Sequence, residues 1–380
     1  MHRFVLLSNL ALTAALASAA LLSVDARAAT RKSQPAVTAG ARAEARADDA
    51  PDVVTYGRRD DVMRFGAEIA ERRELDAEWV QAALGQARYQ PSIAKFIMPA
   101  PAGTAKNWAA YRGRFVEPIR IRAGVAFWRA NEKWLKLAEA VYGVPPEIVV
   151  GIVGVETIYG RQMGNFRVID ALATLSFDFP AGRKDRAPFF RDELENFLVM
   201  CHREGLPPLQ PRGSFAGAMG MPQFMPSSFN KYAVDFDGDG HVDLRDNPAD
   251  VIGSVAHYLA AFGWQHGLPT RFDVAVPVAT IDRAALLASD ILPSFTLVEF
   301  AQRGALLSDA ALATDARLAE AGGIGKLALV ELQNGDAAPS FVAGTANFYA
   351  VTRYNWSSYY AMAVIELGEA VGREVARGMR

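Results

Sequence analysis

Residues 143–160 constrain the fold most, because they combine a clear helix start with an almost uniformly apolar helix. The motif GVPP at 143–146 breaks the preceding helical pattern, and proline is favoured in the first turn of a helix. Residues 147–159 are apolar nearly all round, so we expect this helix to lie inside the protein. Glu156 lies near its end, where a lone carboxylate is costly unless it is paired or protonated.

Glu156 is therefore the main candidate for a catalytic residue. Burial raises the pKa of a carboxyl group, and a raised pKa suits a general acid at neutral pH. A structural role is the alternative, in which Glu156 forms a salt bridge with Arg161 or with another basic residue. The helical pattern alone leaves both interpretations open.

Residues 213–226 form a second unusual segment, in which glycine and alanine alternate with Met, Phe and Gln. Small residues let a ligand or another backbone approach closely. Ser214 and Gln223 offer hydrogen-bonding groups, and Phe224 offers a flat face, so the segment is a plausible wall for a polar ring-shaped ligand. A tightly packed turn between helices is the alternative.

Composition excludes several classes of protein. The chain has 40 basic and 42 acidic residues and a net charge of −2, whereas domains that bind nucleic acid by bulk charge are usually clearly basic. Its single cysteine, Cys201, excludes an internal disulfide and a cysteine-based zinc site. We therefore expect no nucleic-acid partner, and we expect no organic cofactor.

The N-terminus is typical of a secretory signal peptide, with a short basic start, an apolar run from Phe4 to Val24 and an A-x-A site at 26–28. A membrane anchor is the alternative, since residues 4–22 are long enough to span a bilayer. Cleavage after Ala28 would remove Arg3, Arg27 and Asp25 and shift the net charge from −2 to −3. No cysteine lies near this site, which excludes a lipid anchor. We expect a soluble periplasmic product without a membrane anchor.

The rest of the chain reads as mainly helical with a small β-containing part, an α+β fold. Helical patterns cover residues 61–70, 75–87 with a helix start near Asp76, 108–142 with a break near Glu117-Pro118, 190–203, 250–262 and 359–377. Residues 89–107 contain Pro91, Pro99 and Pro101 and are predicted to be a loop. Strand patterns cover residues 271–278, 328–332 and 340–343.

Five motifs resemble those of the lytic murein transglycosylases of the B type, in the same order along the chain. They are GVPPE (143–147), GVET (154–157), GSFAGAMG (213–220), QFMPSSF (223–229) and NFYAVTRYNWS (347–357). The resemblance extends from about residue 60 to residue 368. It implies a lysozyme-like core with an additional helical domain and a small β-containing domain.

With this resemblance, the predicted organisation has six parts. These are a signal peptide (1–28), a disordered linker (29–55), a helical domain (56–142), the lysozyme-like catalytic core (143–268) with an EF-hand-like loop at 235–250, the small β-containing domain (269–345), and a C-terminal segment (346–380) that returns to the helical domain and the cleft.

The resemblance implies cleavage of the β-1,4 bond between N-acetylmuramic acid and N-acetylglucosamine in peptidoglycan, whose glycan strands are the expected partner. Glu156 would act first as acid and then as base, while the 6-hydroxyl of the muramic acid attacks C1 and leaves a 1,6-anhydro end. A muramidase that uses water, and a non-catalytic calcium-stabilised peptidoglycan-binding protein, are the alternatives. The sequence identifies no cell-wall enzyme that would act as a partner.

The family's cleft residues carry over by position in the motifs. The predicted substrate-binding residues are Tyr111, Arg186, Ser214, Gln223, Phe224, Tyr258, Tyr354, Asn355 and Tyr360. One region departs from the family pattern, because the turn FDFP (177–180) is followed by three basic residues, Arg183, Lys184 and Arg186, that we cannot align uniquely. Each of the three is a candidate for contact with the sugar or the peptide stem.

The acidic loop at 235–246 matches an EF-hand, with Asp235, Asp237 and Asp239 at positions 1, 3 and 5 and glycine at position 6. His241 at position 7 would offer its backbone carbonyl. Position 12 is Asp246 where glutamate is usual, and the family resemblance suggests that Asp250 closes a longer loop instead. We predict a structural Ca²⁺ ion; an Asx-rich turn without metal is the alternative.

Overall fold

The computed structural model describes residues 54–98, 106–275 and 282–378. The predicted signal peptide, nearly all of the predicted linker and the last three residues of the strand predicted at 271–278 lie outside the described residues. The fold within the described ranges is mainly α-helical, with 16 α-helices and two small antiparallel sheets, which confirms the predicted fold class.

Six helices precede the apolar helix. They are α1 (Asp60–Arg73), α2 (Ala77–Gly85), α3 (Pro91–Phe96), α4 (Trp108–Gly113), α5 (Pro118–Ala130) and α6 (Glu132–Tyr142). The carboxylate of Asp76 caps α2 by accepting the backbone N–H of Trp79 at 2.7 Å, as expected for a helix that begins near Asp76.

Two predictions in this region were wrong. The supposed loop at 89–107 contains helix α3, because Pro91 occupies its first turn, where a missing N–H costs nothing. Residues 108–142 form three helices rather than two. The break at Glu117-Pro118 is present, and a further break at Asn131 separates α5 from α6.

The predicted apolar helix is α7 (Pro146–Thr157), and its side chains are buried along nearly its whole length. It packs against the long C-terminal helix α16 (Ser358–Gly378) at two glycines. A Cβ atom on Gly151 would lie 2.2 Å from the carbonyl oxygen of Val364, and one on Gly368 would lie 2.0 Å from that of Glu147. The two backbones therefore touch where no side chain fits.

The chain after α7 adds helices α8 (Val168–Phe177), α9 (Ala187–Arg203), α10 (Pro226–Tyr232) and α11 (Pro248–Ala261). A two-stranded antiparallel sheet joins β1 (Phe166–Arg167) to β2 (Arg212–Gly213). This sheet brings residue 213, where the Gly-rich segment begins, next to the turn that follows α7.

The β-containing part is a four-stranded antiparallel sheet in the order β4-β3-β6-β5. Its strands are β3 (Arg271–Ala275), β4 (Leu306–Leu307), β5 (Ala328–Asn334) and β6 (Ala337–Gly344). Three short helices accompany it: α12 (Arg283–Leu287), α13 (Leu297–Gln302) and α14 (Asp309–Arg317). Helix α15 (Ala346–Thr352) then leads back to α16.

Two hydrophobic clusters organise the interior. The larger one runs from Tyr56 to Val375 and includes helices of both the predicted helical domain and the predicted core. The smaller one lies in the β-containing part, around Phe272, Phe300 and Leu329. The boundary predicted between residues 142 and 143 therefore stays a prediction, since the buried residues on its two sides form one continuous cluster.

No single helix in the described ranges is long and apolar enough to cross a membrane. Helices α6 and α7 reach that length and apolarity only together, and they bend by 116° at the break between them.

Candidate active site

Glu156 lies in the last turn of α7, one residue before the helix ends. The backbone leaves the helix through two left-handed residues, Ile158 at φ 51° and Tyr159 at φ 55°. The hydroxyl of Thr157 accepts the N–H of Gly160 at 3.0 Å and donates to the carbonyl of Met221 at 2.8 Å. The end of the helix is therefore fixed to the Gly-rich segment.

The carboxyl group of Glu156 is enclosed on most sides, although the residue keeps some exposure to solvent. Its Oε1 accepts a 2.6 Å hydrogen bond from the hydroxyl of Tyr360. Burial raises the pKa of Glu156 to about 7, and the Tyr360 bond opposes the shift because it stabilises the charged form. Neither Glu156 nor Arg161 forms an ion pair with a described residue, so the described structure does not contain the alternative salt bridge to Arg161 or to another basic residue.

Tyrosines form the surroundings of Glu156. The rings of Tyr354 and Tyr360 stack at 6.3 Å with an angle of 13° between their planes. Burial, and then the charge of Glu156, raises the pKa of both hydroxyls well above the usual value. The pKa of Tyr111 rises to about 12 from the same two causes, which places Tyr111 within electrostatic reach of Glu156.

Hydrogen bonds to backbone carbonyls fix two of these tyrosines. The hydroxyl of Tyr354 donates to the carbonyl of Pro222 at 2.5 Å, and that of Tyr258 donates to the carbonyl of Arg353 at 2.7 Å. The ring of Phe224 packs beside both, 5.6 Å from the ring of Tyr258 and 5.9 Å from that of Tyr354. Phe224, Tyr258 and Tyr360 are buried, so they support the site from behind.

The Gly-rich segment folds as a tight loop beside these rings. Met219 and Phe224 exchange both backbone hydrogen bonds, at 2.8 and 3.0 Å. Ser214 accepts the N–H groups of Ala216 and Ala218 at 3.3 and 3.1 Å, which leaves its hydroxyl proton for donation elsewhere. The segment is thus a tightly packed turn, and its role as a wall for a ligand stays a prediction.

Gln223 adopts a left-handed backbone at φ 52°, and its amide nitrogen donates to the carbonyls of Gly220 and Met163 at 2.9 and 3.3 Å. Its amide oxygen has no partner among the described residues. Asn355 also has an unpartnered Oδ1, and that atom is buried. The Gln223 oxygen therefore lacks a donor that a ligand can supply, whereas the Asn355 oxygen is closed to solvent.

The basic segment lies between helices α8 and α9. Arg183 donates to the carbonyl of Ile97, while Arg186 lies over the ring of Phe189 at 4.6 Å. Burial, followed by the charge of Arg183, lowers the pKa of Arg186. Lys184 is exposed. Ile97 follows Phe96, whose ring contacts Phe166 of β1 and Phe215, the residue after Ser214. The segment reaches the Gly-rich loop through these aromatic contacts.

The acidic loop brings three carboxylates together. Oxygen atoms of Asp235, Asp237 and Asp250 lie within 4.8 Å of one another. Asp250 is fully buried and accepts the N–H groups of Phe236 and Asp243, both at 2.8 Å. Burial and then the charges of Asp237 and Asp235 raise the pKa of Asp250.

The other acidic residues of the loop lie outside this group. Asp239 accepts the N–H of His241 at 2.9 Å, and the side chain of Asp246 is exposed beside Arg245. Three carboxylates facing one point repel one another unless a cation neutralises them, and oxygen ligands are those that Ca²⁺ prefers. The residues therefore fit a calcium ion, with Asp250 rather than Asp246 beside Asp235 and Asp237.

Sequence reasoning missed several residues beside Tyr111. Trp356 lies within a quoted motif, and Tyr359 directly precedes Tyr360, but neither was selected. Arg114 follows α4 without any motif of its own. Only their position close to a selected residue in the sequence could have drawn attention to them.

Comparison with known proteins identifies the family of this chain. The family model described as the transglycosylase SLT domain matches residues 57–369. The chain belongs to the transglycosylase SLT family. It is 40% identical over 329 residues to the membrane-bound lytic murein transglycosylase B of Escherichia coli (strain K12), which covers 83% of this chain and 84% of that protein. This chain is a lytic transglycosylase that acts on peptidoglycan.

Two solved structures of transglycosylases are similar over most of the chain. The E. coli lytic transglycosylase SLT35 in complex with calcium has a TM-score of 0.71 and 38% identity, covering 84% of this chain and 95% of that chain. SltB3 from Pseudomonas aeruginosa, in complex with NAG-anhNAM-pentapeptide, has a TM-score of 0.67 and 30% identity, covering 82% of this chain and 78% of that chain.

Proposed function

We propose that this transglycosylase cleaves the β-1,4 bond between N-acetylmuramic acid and N-acetylglucosamine and leaves a 1,6-anhydro end, with Glu156 as its one acid and base. The observation that carries the proposal is the isolation of Glu156. Burial and the Tyr360 hydroxyl are the two causes of its pKa shift, and no second carboxylate of the described chain contributes.

Bond cleavage needs an acid first. With a pKa near 7, much of Glu156 is protonated at neutral pH and can donate to the glycosidic oxygen as the bond from that oxygen to C1 breaks. The carboxylate left behind keeps the hydrogen bond from Tyr360. Positive charge develops on the sugar ring at the same time, and the carboxylate stabilises it.

Ring closure then needs a base. The 6-hydroxyl oxygen of the muramic acid attacks C1, and its proton moves to Glu156, which restores the starting acid. The step forms one C–O bond, which takes the place of the glycosidic bond that broke at C1, and it consumes no water. Glycosidases that use two carboxylates place the second one about 5–9.5 Å from the acid. No second carboxylate of the described residues contributes to the pKa shift of Glu156.

The predicted binding residues divide by exposure. Tyr111, Tyr354, Ser214, Gln223 and Asn355 are half-buried and offer rings, a hydroxyl proton and amide groups to the glycan. Tyr258, Phe224 and Tyr360 position them. Arg186 contacts the glycan or its peptide stem at the other end of the Gly-rich loop. SltB3 is solved with a glycan that carries a pentapeptide, which supports a glycan strand as the substrate.

A structural calcium ion joins the acidic loop to helix α11. Asp235, Asp237 and Asp250 hold it, with Asp239 and the carbonyl of His241 as further ligands. Support comes from the convergence of the three carboxylates and from the calcium complex of SLT35. The ion stabilises the loop and takes no part in the reaction.

The enzyme works in the periplasm after export and removal of residues 1–28, as a protein that is not held by a lipid anchor. The N-terminal pattern supports export, and peptidoglycan as the substrate requires it. The E. coli relative is named as membrane-bound, so the state of the mature N-terminus is the part to measure, by mass spectrometry of the exported protein.

Paired variants on helix α7 test the catalytic role. Glu156→Gln should lower the release of soluble muropeptides from sacculi by about 10²–10⁴-fold, the usual contribution of acid–base catalysis. Glu147→Gln removes the other carboxylate of the same helix and should keep activity within about twofold of wild type. Full activity of Glu156→Gln would disprove the proposed mechanism.

A further inference from the structure

A side pocket of about 480 Å³ lies next to the site and is not explained by cleavage of the glycan. Aromatic rings form part of its lining, and two basic residues, Lys106 and Arg114, lie at its mouth. One acidic residue, Asp290, also borders it. The aromatic residues of the side pocket are Tyr111, Trp356 and Tyr359.

The basic residues of the side pocket have no acidic partner in the part of the chain that the structure describes. Lys106 and Arg114 are both exposed, and neither forms an ion pair with a described residue. Arg114 lies close enough to Tyr111 for its charge to lower the pKa of the Tyr111 hydroxyl, against the larger effect of burial. Two cations that line the same pocket as three aromatic rings, without an ion-pair partner among the described residues, form a site for an anionic group with an apolar stem.

The side pocket adjoins the reaction site through shared residues. Tyr111 belongs to its lining and also senses the charge of Glu156. Tyr359 belongs to it as well, and the next residue, Tyr360, holds the Glu156 carboxyl. A group in the side pocket is therefore attached to the sugar at the reacting bond, or to one beside it.

The β-containing part holds the side pocket in shape. The Tyr359 hydroxyl accepts the N–H of Gln333 at 2.8 Å and donates to the carbonyl of the same residue at 3.1 Å. The N–H of Gly335 donates to the carbonyl of Lys106 at 3.1 Å. Asp290 keeps a left-handed backbone at φ 52°. The hairpin of β5 and β6 thus fixes both a ring and a basic residue of the lining.

We propose that the side pocket is a subsite for the carboxylate-bearing peptide stem of the glycan strand, with Lys106 and Arg114 as the residues that recognise its charge. N-acetylglucosamine is neutral, and the lactyl carboxyl group of N-acetylmuramic acid is a neutral amide wherever a stem is attached, so on a stem-bearing strand the stem supplies the carboxylate. Asp290 offers the opposite charge to an amino group of the same stem. This inference rests on the proposed function, because it assumes a glycan strand in the cleft.

The test compares two oligosaccharides of equal length. One carries pentapeptide stems, and the other has each lactyl group capped as a neutral methylamide. The double variant Lys106→Gln/Arg114→Gln should lower kcat/KM about five- to tenfold on the first, as expected for two exposed ion pairs, and leave kcat/KM on the second within about twofold. Arg122→Gln, an exposed basic residue on α5, serves as the matched control and should change neither value.

Each outcome has a distinct meaning. Equal losses on both oligosaccharides, or no loss on either, would overturn the stem subsite while leaving the proposed reaction intact. Retention of stem preference in Lys106→Arg/Arg114→Lys, which keeps both charges, supports recognition of charge. Failure of the wild-type enzyme to cleave either oligosaccharide would instead contradict the proposed function.

Discussion

The hydroxyl of Tyr360 donates a 2.6 Å hydrogen bond to Oε1 of Glu156, although 204 residues separate the two along the chain. The bond lowers the pKa of a carboxyl group that burial raises to about 7. Tyr360 therefore adjusts the acid of the reaction without having to touch the substrate.

Replacement of Tyr360 tests this relationship through the pH dependence of activity. The acid step needs protonated Glu156, so wild-type activity should fall as pH rises through about 7. Tyr360→Phe removes the bond that lowers the pKa, so its alkaline limb should move to higher pH while kcat falls about tenfold. A pH–rate profile measures both effects, and an alkaline limb that does not move would contradict the role assigned to Tyr360.

Glu156 should also make stability depend on pH. Its pKa is higher in the folded state than the ordinary 4.5, so its contribution to stability is complete below pH 4.5 and is lost as pH rises through about 7. Glu156→Gln stays neutral at every pH. The free energy of unfolding of this variant, relative to that of wild type, should therefore increase by up to about 3 kcal/mol between pH 5 and pH 8.

Urea unfolding at the two pH values measures this gain. Glu78→Gln, at an exposed carboxylate on α2, is the control and should show no comparable change. If the difference in free energy of unfolding between Glu156→Gln and wild type were the same at pH 5 and pH 8, Glu156 would not have the raised pKa described above.

Calcium should raise the melting temperature, because an ion that binds only the folded state stabilises it. The calcium-dependent part of that increase should disappear in Asp250→Asn and persist in Asp246→Asn, since Asp250 faces Asp235 and Asp237 while Asp246 is exposed. Thermal unfolding with calcium and with chelator gives the comparison. If the increase were lost in Asp246→Asn and kept in Asp250→Asn, Asp246 rather than Asp250 would hold the ion, and the proposed site would be wrong.

The contact between α7 and α16 should tolerate no side chain at Gly151. A Cβ atom there would lie 2.2 Å from the carbonyl oxygen of Val364, so Gly151→Ala should destabilise the fold by about 3 kcal/mol or more. Gly113→Ala at the end of α4 meets nothing within 4 Å and should be neutral or slightly stabilising. Denaturant unfolding of both variants checks the prediction, and equal stability of the two would refute the close approach.

Local rules predicted the elements that carry the chemistry. The apolar pattern and GVPP start located α7 and placed Glu156 near its end, and Asp76 correctly marked the start of α2. Proline is the reason that α3 was missed, because Pro91, Pro99 and Pro101 suggested a loop although proline at the first helical position begins a helix.

The arrangement of the site could be predicted only in part. The choice of Tyr354 and Tyr360 came from resemblance to a family, whereas their stacking and the bond to Glu156 depend on how α16 packs on α7. The side pocket depends on the β5–β6 hairpin meeting Tyr359, a contact between distant segments that no local pattern encodes. Long-range packing is therefore what sequence reasoning could not supply.

Product analysis after digestion of sacculi in H₂¹⁸O tests the central claim, that the substrate and not water supplies the nucleophile. The account predicts muropeptides with 1,6-anhydro ends that contain no ¹⁸O at C1 and are lighter than the hydrolysis products by one water. Reducing ends that carry ¹⁸O would contradict it and would identify a hydrolase in which Glu156 activates water.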